Sequence, residues 1–249
     1  MIATTADLLA AALARDPAGP LFTYYDDRTG ERVELSASTV DNWVAKTANL
    51  VVDGAGLGAG DRAAVLLPPH WQAAAILLGS WAAGLTTVDP ADSPDVVFAS
   101  ADRADEAFAS GAADVFLLSL APLGRRLATV PPGAQDYAVE VPGFGDHFAA
   151  PARVTADTPA TGDLTHGALL SAASARAAEL GLDAGDRVLV VDSPGHRPPV
   201  LDWLLAPLAA GASVVVVREP DPAALPRRAA DERATVTLGA TAPGVRRAG

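Results

Sequence analysis

The sequence predicts an α/β fold, with mostly parallel sheets flanked by helices, and three observations carry that expectation. Short apolar runs such as Ala63–Leu67, Val96–Ala99 and Val188–Val191 lack the alternation of a half-exposed strand, so they read as strands buried on both faces. Stretches with helical spacing fall between them, which is the pattern of a sheet covered by helices. An internal echo adds a third signal: "GLGAGDRAAVLLPPH" (Gly56–His70) recurs as "GLDAGDRVLVVDSPGH" (Gly181–His196). Each copy continues through a Trp-containing helical segment to "AAG" and a second β-rich run. Two pseudo-repeated βα units are therefore expected.

The elements follow in order. Thr5 or Asp7 caps an opening helix in which Leu8, Leu9 and Leu13 share a face. "LFTYYDDRTGERVEL" places two β-type runs around Asp27–Gly30, a hairpin signature. Ser38–Val52 is helical, with Val40, Trp43, Val44, Thr47 and Leu50 on one buried face, and Gly54, Gly56, Gly58 and Gly60 end it. Strands are expected at Ala63–Leu67, Leu85–Val88, Val96–Ala99 and Val115–Leu120, with helices around Trp71–Ala83 and Ala101–Ala109. Ala121–Thr161 is rich in Pro and Gly and reads as a connection between a first unit, about 1–120, and a second, about 162–249, with one strand near Tyr137–Val141. Alternation then resumes through helix Thr165–Leu180, strand Val188–Val191, helix Pro199–Ala210, strand Ser213–Val217, helix Ala223–Glu232 and strand Thr235–Leu238. The end, "APGVRRAG", is expected to fray.

Composition excludes several function classes. Thirty acidic residues against eighteen basic ones give a net charge of −12, which argues against nucleic acid and anionic membranes. Lys46 is the sole lysine, and no cysteine is present, so disulfides, thiolate metal sites and cysteine nucleophiles are ruled out. No apolar run reaches the roughly 20 residues of a membrane span, and a cytoplasmic protein is expected.

His70, His147, His166 and His196 contain no i, i+4 pair suited to a helical metal site, so no metal is expected. Asp192, Ser193 and His196 are crowded into one turn and G-x-S-x-G is absent, which argues against a hydrolase triad. The glycines of "DGAGLGAGD" precede a strand, whereas a dinucleotide fingerprint must follow one. The four tryptophans read as packing.

Four segments in order carry a resemblance. "TADLLAAALARDPAGPLFTYYDD", "GLGAGDRAAVLLPPHWQAAAILLGSWAAGLTTVDP", "LTHGALL" and "HRPPVLDWLLAPLAAGASVVV" resemble the N-terminal region of the adenylate-forming superfamily, which includes acyl-CoA synthetases, peptide-synthetase adenylation domains and luciferases. The resemblance implies a phosphate loop immediately before "LTHGALL". The family pattern is T-S-G-T-T-G-x-P-K-G, and here "TPATGD" matches it only at Thr158, Thr161 and Gly162, followed by Thr165. These four are the candidate cofactor-binding remnant. Pro159 removes an amide donor, Asp163 adds negative charge, and the loop's lysine is absent. His166 matches the family's T-H segment and reads as opening a helix. His196 matches an acyl-pocket position; with Asp192 it is a candidate for lining a substrate pocket, the alternative being an ordinary loop residue.

The family's Y-G-x-T-E segment, ribose-binding aspartate and C-terminal catalytic lysine have no counterpart. The implied reading is a truncated, catalytically degenerate relative with no catalytic residues and no required cofactor, acting as a binding or interaction protein. Two alternatives stay open: an acyl-activating ligase half completed by a separate chain, using ATP and magnesium, and a small-molecule sensor of an acyl or nucleoside ligand. Val214–Val217 and Thr235–Leu238 are expected near an open sheet edge, which implies a homodimer or partner protein on the C-terminal half.

Overall fold

The computed structural model describes residues 3–248. In chain order, α1 (Thr5–Arg15) is followed by the strands β1 (Pro20–Asp26) and β2 (Glu31–Ser36), then α2 (Ala37–Asn49). Next come β3 (Arg62–Leu66), α3 (Trp71–Ala82), β4 (Thr86–Thr87), β5 (Val96–Ser100), α4 (Ala104–Ala109) and β6 (Asp114–Leu118). The middle of the chain holds β7 (Gln135–Asp136), α5 (Tyr137–Glu140), β8 (Pro159–Thr161) and β9 (Leu164–Thr165). The last part consists of α6 (His166–Glu179), β10 (Arg187–Asp192), α7 (Ala206–Ala210), β11 (Ser213–Arg218), α8 (Leu225–Asp231), β12 (Val236–Leu238) and β13 (Arg246–Arg247).

Two compact units form, and they interleave in sequence. Among the described residues, the first contains 3–6, Asp41–Leu67 and Gln72–Leu169; the second contains Asp7–Val40, Pro68–Trp71 and 170–248. The opening helix and hairpin therefore fall largely in the second unit, and the Pro/Gly-rich segment after residue 120 belongs to the first.

The first unit is a seven-stranded sheet ordered β7-β6-β5-β3-β4-β8-β9, parallel except for β9. Its central strands bury both faces, as their unbroken apolar runs require. Ala63, Val96, Phe98, Phe116 and Leu118 pack on one side with Ile76, Tyr137 and Val141. Ala64, Leu66, Val97, Ala99, Val115 and Leu117 pack on the other with Ala107. Phe98 and Phe116 stack across neighbouring strands at 5.3 Å, and Tyr137 meets Phe98 edge-on at 6.0 Å.

The second unit is a six-stranded sheet ordered β13-β12-β10-β11-β1-β2, parallel except for the edge strand β2. One face packs Leu189, Val191, Val215 and Val217 on Leu225 and Ala229 of α8. On this sheet Phe22 meets Trp203 edge-to-face at 5.9 Å. Trp71, Trp81 and Trp203 are buried, as packing residues should be.

The internal echo is a structural repeat. Arg62 and Arg187 each open a buried parallel strand, and the strand orders β4-β3-β5 and β11-β10-β12 correspond. The turns before them are built alike. Asp61 Oδ2 accepts from Gly58 N (2.7 Å), and Asp186 Oδ2 accepts from Asp183 N (2.8 Å). Gly60 and Gly185 take φ of +102° and +91°, a region that disfavours side chains, which is why "AGDR" carries its glycine.

Three expectations need correction. Tyr137–Val141 is a helical turn rather than a strand: Asp136 caps it by accepting from Ala138 N (2.9 Å), and the four-residue spacing buries Tyr137 and Val141 together. The segment before residue 249 is tied down rather than frayed, because Arg246–Arg247 form β13 beside β12, and Arg246 donates to Leu180 O (2.9 Å) and Asp186 (3.1 Å). Val214–Val217 is not near an edge: β11 lies between β10 and β1, and Val214 to Val217 are fully buried. β12 lies one strand in from the edge of the sheet, paired with the two-residue β13. No described helix is long and apolar enough to cross a membrane.

Candidate functional site

Two places hold the residues singled out in the sequence, one in each unit. In the first unit, the segment expected to match a phosphate loop is a tight hairpin. β8 and β9 pair antiparallel across a two-residue turn, Gly162-Asp163, and Gly162 supplies the positive φ of +50° that such a turn favours at its first position. Pro159 opens β8, and Asp163 is exposed at the tip.

Four amides of this segment and of the start of α6 donate to protein acceptors. Gly162 N donates to Thr87 O (2.9 Å), His166 N to Thr158 O (2.9 Å) and Gly167 N to Ala156 O (2.8 Å). Thr165 Oγ1 accepts from Ala168 N (3.3 Å), so the residue expected to cap α6 does so. Thr158 Oγ1 accepts from Thr155 N (2.9 Å), while Thr161 pairs with Thr87 and Leu164. A helix N-terminus binds phosphate through unsatisfied amides. At α6 the first three already have protein acceptors. Behind the hairpin, Trp81 Nε1 donates to Ala160 O (2.8 Å) and Thr87 Oγ1 donates to the same carbonyl (3.1 Å). His166 is buried beside Thr5, with Nδ1 3.2 Å from the Thr5 hydroxyl.

In the second unit, polar side chains gather where β1, β10 and β11 end. The register sets Asp26 and Asp192 on either side of Arg218. Asp26 is tied into the β1–β2 turn, its Oδ1 accepting from Arg28 N (2.9 Å). Asp192 is only 3% exposed, and its Oδ1 has no hydrogen-bond partner. Burial raises its pKa against the opposing pull of Arg197 and Arg218. Below this level, His70 is fully buried and meets Tyr24 edge-to-face at 4.3 Å. Burial, with help from Arg218, pushes the His70 pKa down to about 3, so the ring is neutral at physiological pH. Burial likewise raises the Tyr24 pKa.

His196 stands apart from this buried group. It is exposed, closes a turn through reciprocal backbone bonds with Ser193 (both 2.9 Å), and lays its ring on Gly239, where a Cβ would come within 2.3 Å of His196 Cδ2. Asp192, Ser193 and His196 thus form a turn, without a side-chain relay. Tyr24 and Arg218 escaped the sequence reading because strand register, invisible in the sequence, places them, and His70 joins them from the segment after β3. Their only signal was position at the carboxyl ends of apolar runs, where open α/β sheets place ligands. The arrangement offers a cation, a neutral imidazole and an unsatisfied carboxylate oxygen, which suit holding a polar group. No cluster of metal-ligating side chains occurs among the described residues.

No family model matches the chain. Among solved structures, the acetoacetyl-CoA synthetase of Streptomyces lividans aligns over 94% of this chain with a TM-score of 0.73 at 21% identity. The acyl-CoA synthetase of Brucella canis aligns over 94% with a TM-score of 0.76 at 16% identity. The fatty acyl-adenylate ligase of L. pneumophila aligns over 94% with a TM-score of 0.65 at 14% identity. The chain spans 42%, 47% and 44% of those proteins' own lengths, so it has the fold of a portion of each. A Mycobacterium tuberculosis (strain ATCC 25618 / H37Rv) protein, described as a TIGR03089 family protein, is 44% identical over 236 residues, covering 93% of this chain and 96% of that relative. At that identity and coverage, the chain belongs to the TIGR03089 family.

Proposed function

We propose that this protein is a catalytically degenerate user of the adenylate-forming fold, which binds a small ligand without activating it. The observation that carries this reading is the hairpin at Pro159–Thr165, where Gly162 N and the first three amides of α6 donate to protein acceptors and where the tip carries Asp163. Acyl adenylation must stabilise charge developing at a phosphate, which takes preorganised donors and cations. The hairpin carries no cation, and the amides of Gly162 and of the first turn of α6 are already engaged. The polar group at Asp192 and Arg218 supports retention of a binding role, because buried polar side chains are costly unless something satisfies them. The ligand class in this reading is the acyl or nucleoside chemistry of the synthetases that share the fold, and neither ATP nor magnesium is required.

The test is pyrophosphate exchange into ATP, run with acetoacetate and a series of fatty acids. Exchange at the level of a heat-inactivated control is expected with every acid. Acid-dependent exchange above that control would establish the acyl-activating ligase reading instead.

A further inference from the structure

The amino ends of β1, β10 and β11, opposite to the polar group at Asp192, frame a cavity of about 350 Å³. Among its lining residues are Arg15, Arg187, Arg233, Asp16 and Asp186. Their hydrogen bonds divide these side chains into committed and uncommitted groups. Arg187 donates to Glu232 O (2.7 Å), Thr23 Oγ1 (2.9 Å), Ser213 Oγ (3.4 Å) and the Glu232 carboxylate. Asp186 accepts from Asp183 N (2.8 Å), Thr235 Oγ1 (2.6 Å) and Arg246 (3.1 Å). Asp16 folds back on its own loop, with Oδ1 accepting from Gly19 N (2.9 Å) and Ala18 N (3.2 Å).

Two guanidinium groups keep donors to spare. Arg15 uses NH1 on Gly211 O (2.8 Å) and lies over that glycine. Arg233 makes no side-chain hydrogen bond or ion pair among the described residues. Its backbone has φ +53° and donates to Ala230 O (3.0 Å) at the end of α8, a position where glycine is the usual residue. An exposed cationic side chain thus lines the cavity from a backbone position that resists it. In a chain of net charge −12, the uncommitted donors of this cavity are cationic.

We infer that this cavity binds a small oxyanion, a phosphate or carboxylate group, between Arg15 and Arg233. Guanidinium groups match both anions through paired N–H donors. The cavity volume suits a small metabolite carrying such a group. The site lies at the opposite ends of the strands from Asp192, so it stands or falls independently of the function proposed above.

Isothermal titration calorimetry of the full chain tests it, with inorganic phosphate and succinate in separate arms and sodium chloride matching the ionic strength. Saturable binding is expected in at least one arm, and the arm that binds identifies the anion. Arg233→Gly should weaken that binding about tenfold or more, as loss of a charged hydrogen-bonding group does. Glycine accepts the positive φ, so the variant should remain folded. Arg15→Gln should weaken binding independently. The inference is overturned if neither anion saturates by about 10 mM, if sodium chloride alone reproduces the heat, or if Arg233→Gly binds as the parent does.

Discussion

Replacing Glu232 by alanine should destabilise the protein by about 3–5 kcal/mol, the usual loss when one partner of a buried ion network is removed. Glu232 lies after α8, and its side chain is 5% exposed. It accepts from Tyr25 Oη (2.5 Å), from Arg32 Nε (3.1 Å) and NH2 (2.9 Å), and from Arg187. Without it, Arg187, whose side chain is 12% exposed, would keep its charge against only the more distant Glu34 carboxylate at 3.7 Å. Urea unfolding should show the loss, and Glu232→Gln, which keeps an acceptor oxygen, should lose less. The same contacts set the acid response. Burial alone would raise the Glu232 pKa, but hydrogen bonds from Tyr25, Arg187 and Arg32 outweigh it and hold the group below the usual glutamate range. A carboxylate with a depressed folded pKa stabilises above its unfolded pKa and loses that contribution as pH falls through the folded value. His70 acts in the same direction: between its ordinary 6.5 and about 3, the unfolded chain binds a proton that the fold excludes. Stability should therefore decline as pH drops below about 6.5, and the glutamate's share of that decline should vanish in Glu232→Ala.

Trp81→Ala should cost about 3–5 kcal/mol through the cavity it opens. Trp81 is 2% exposed, and its indole N–H is the donor that ties α3 to the hairpin through Ala160 O. Trp81→Phe separates the two roles. It keeps most of the buried ring but removes the donor, at a cost of about 1 kcal/mol. Faster amide exchange confined to Gly162, His166 and Gly167 in Trp81→Phe would show that the indole holds the hairpin shut. Uniform exchange across the first unit would assign Trp81 to packing alone.

The parts of the fold legible in the sequence are those where one physical rule decides. Ala63–Leu67 and Val188–Val191 read as buried strands because both faces are apolar, and the "AGDR" turns read as repeats because glycine is needed at Gly60 and Gly185. The hairpin around Asp27–Gly30 announced itself by its turn residues. The segments that were misread depend on choices a linear pattern leaves open. "YAVEV" fits a strand by composition, and only the Asp136 cap with the paired burial of Tyr137 and Val141 makes it a helical turn. Arg246–Arg247 offer no apolar signal, since they join the sheet through backbone pairing and the contacts of one guanidinium. The candidate site was half legible. The turn that Gly162 and Asp163 form could be read from their residue types, and Asp192 from its place at a strand end. The placing of Arg218 beside Asp192 is a product of register, and the meeting of His70 with Tyr24 depends on the path of the chain after β3.

The Gly162 amide in the hairpin and the His166, Gly167 and Ala168 amides at the start of α6 are committed to protein acceptors. Nitrogen–proton NMR during titration with magnesium ATP reads those amides one by one. The account expects the Gly162, His166, Gly167 and Ala168 signals to stay in place up to about 10 mM nucleotide and to exchange slowly with solvent. Saturable shifts centred on these four amides would show a working phosphate site and contradict it.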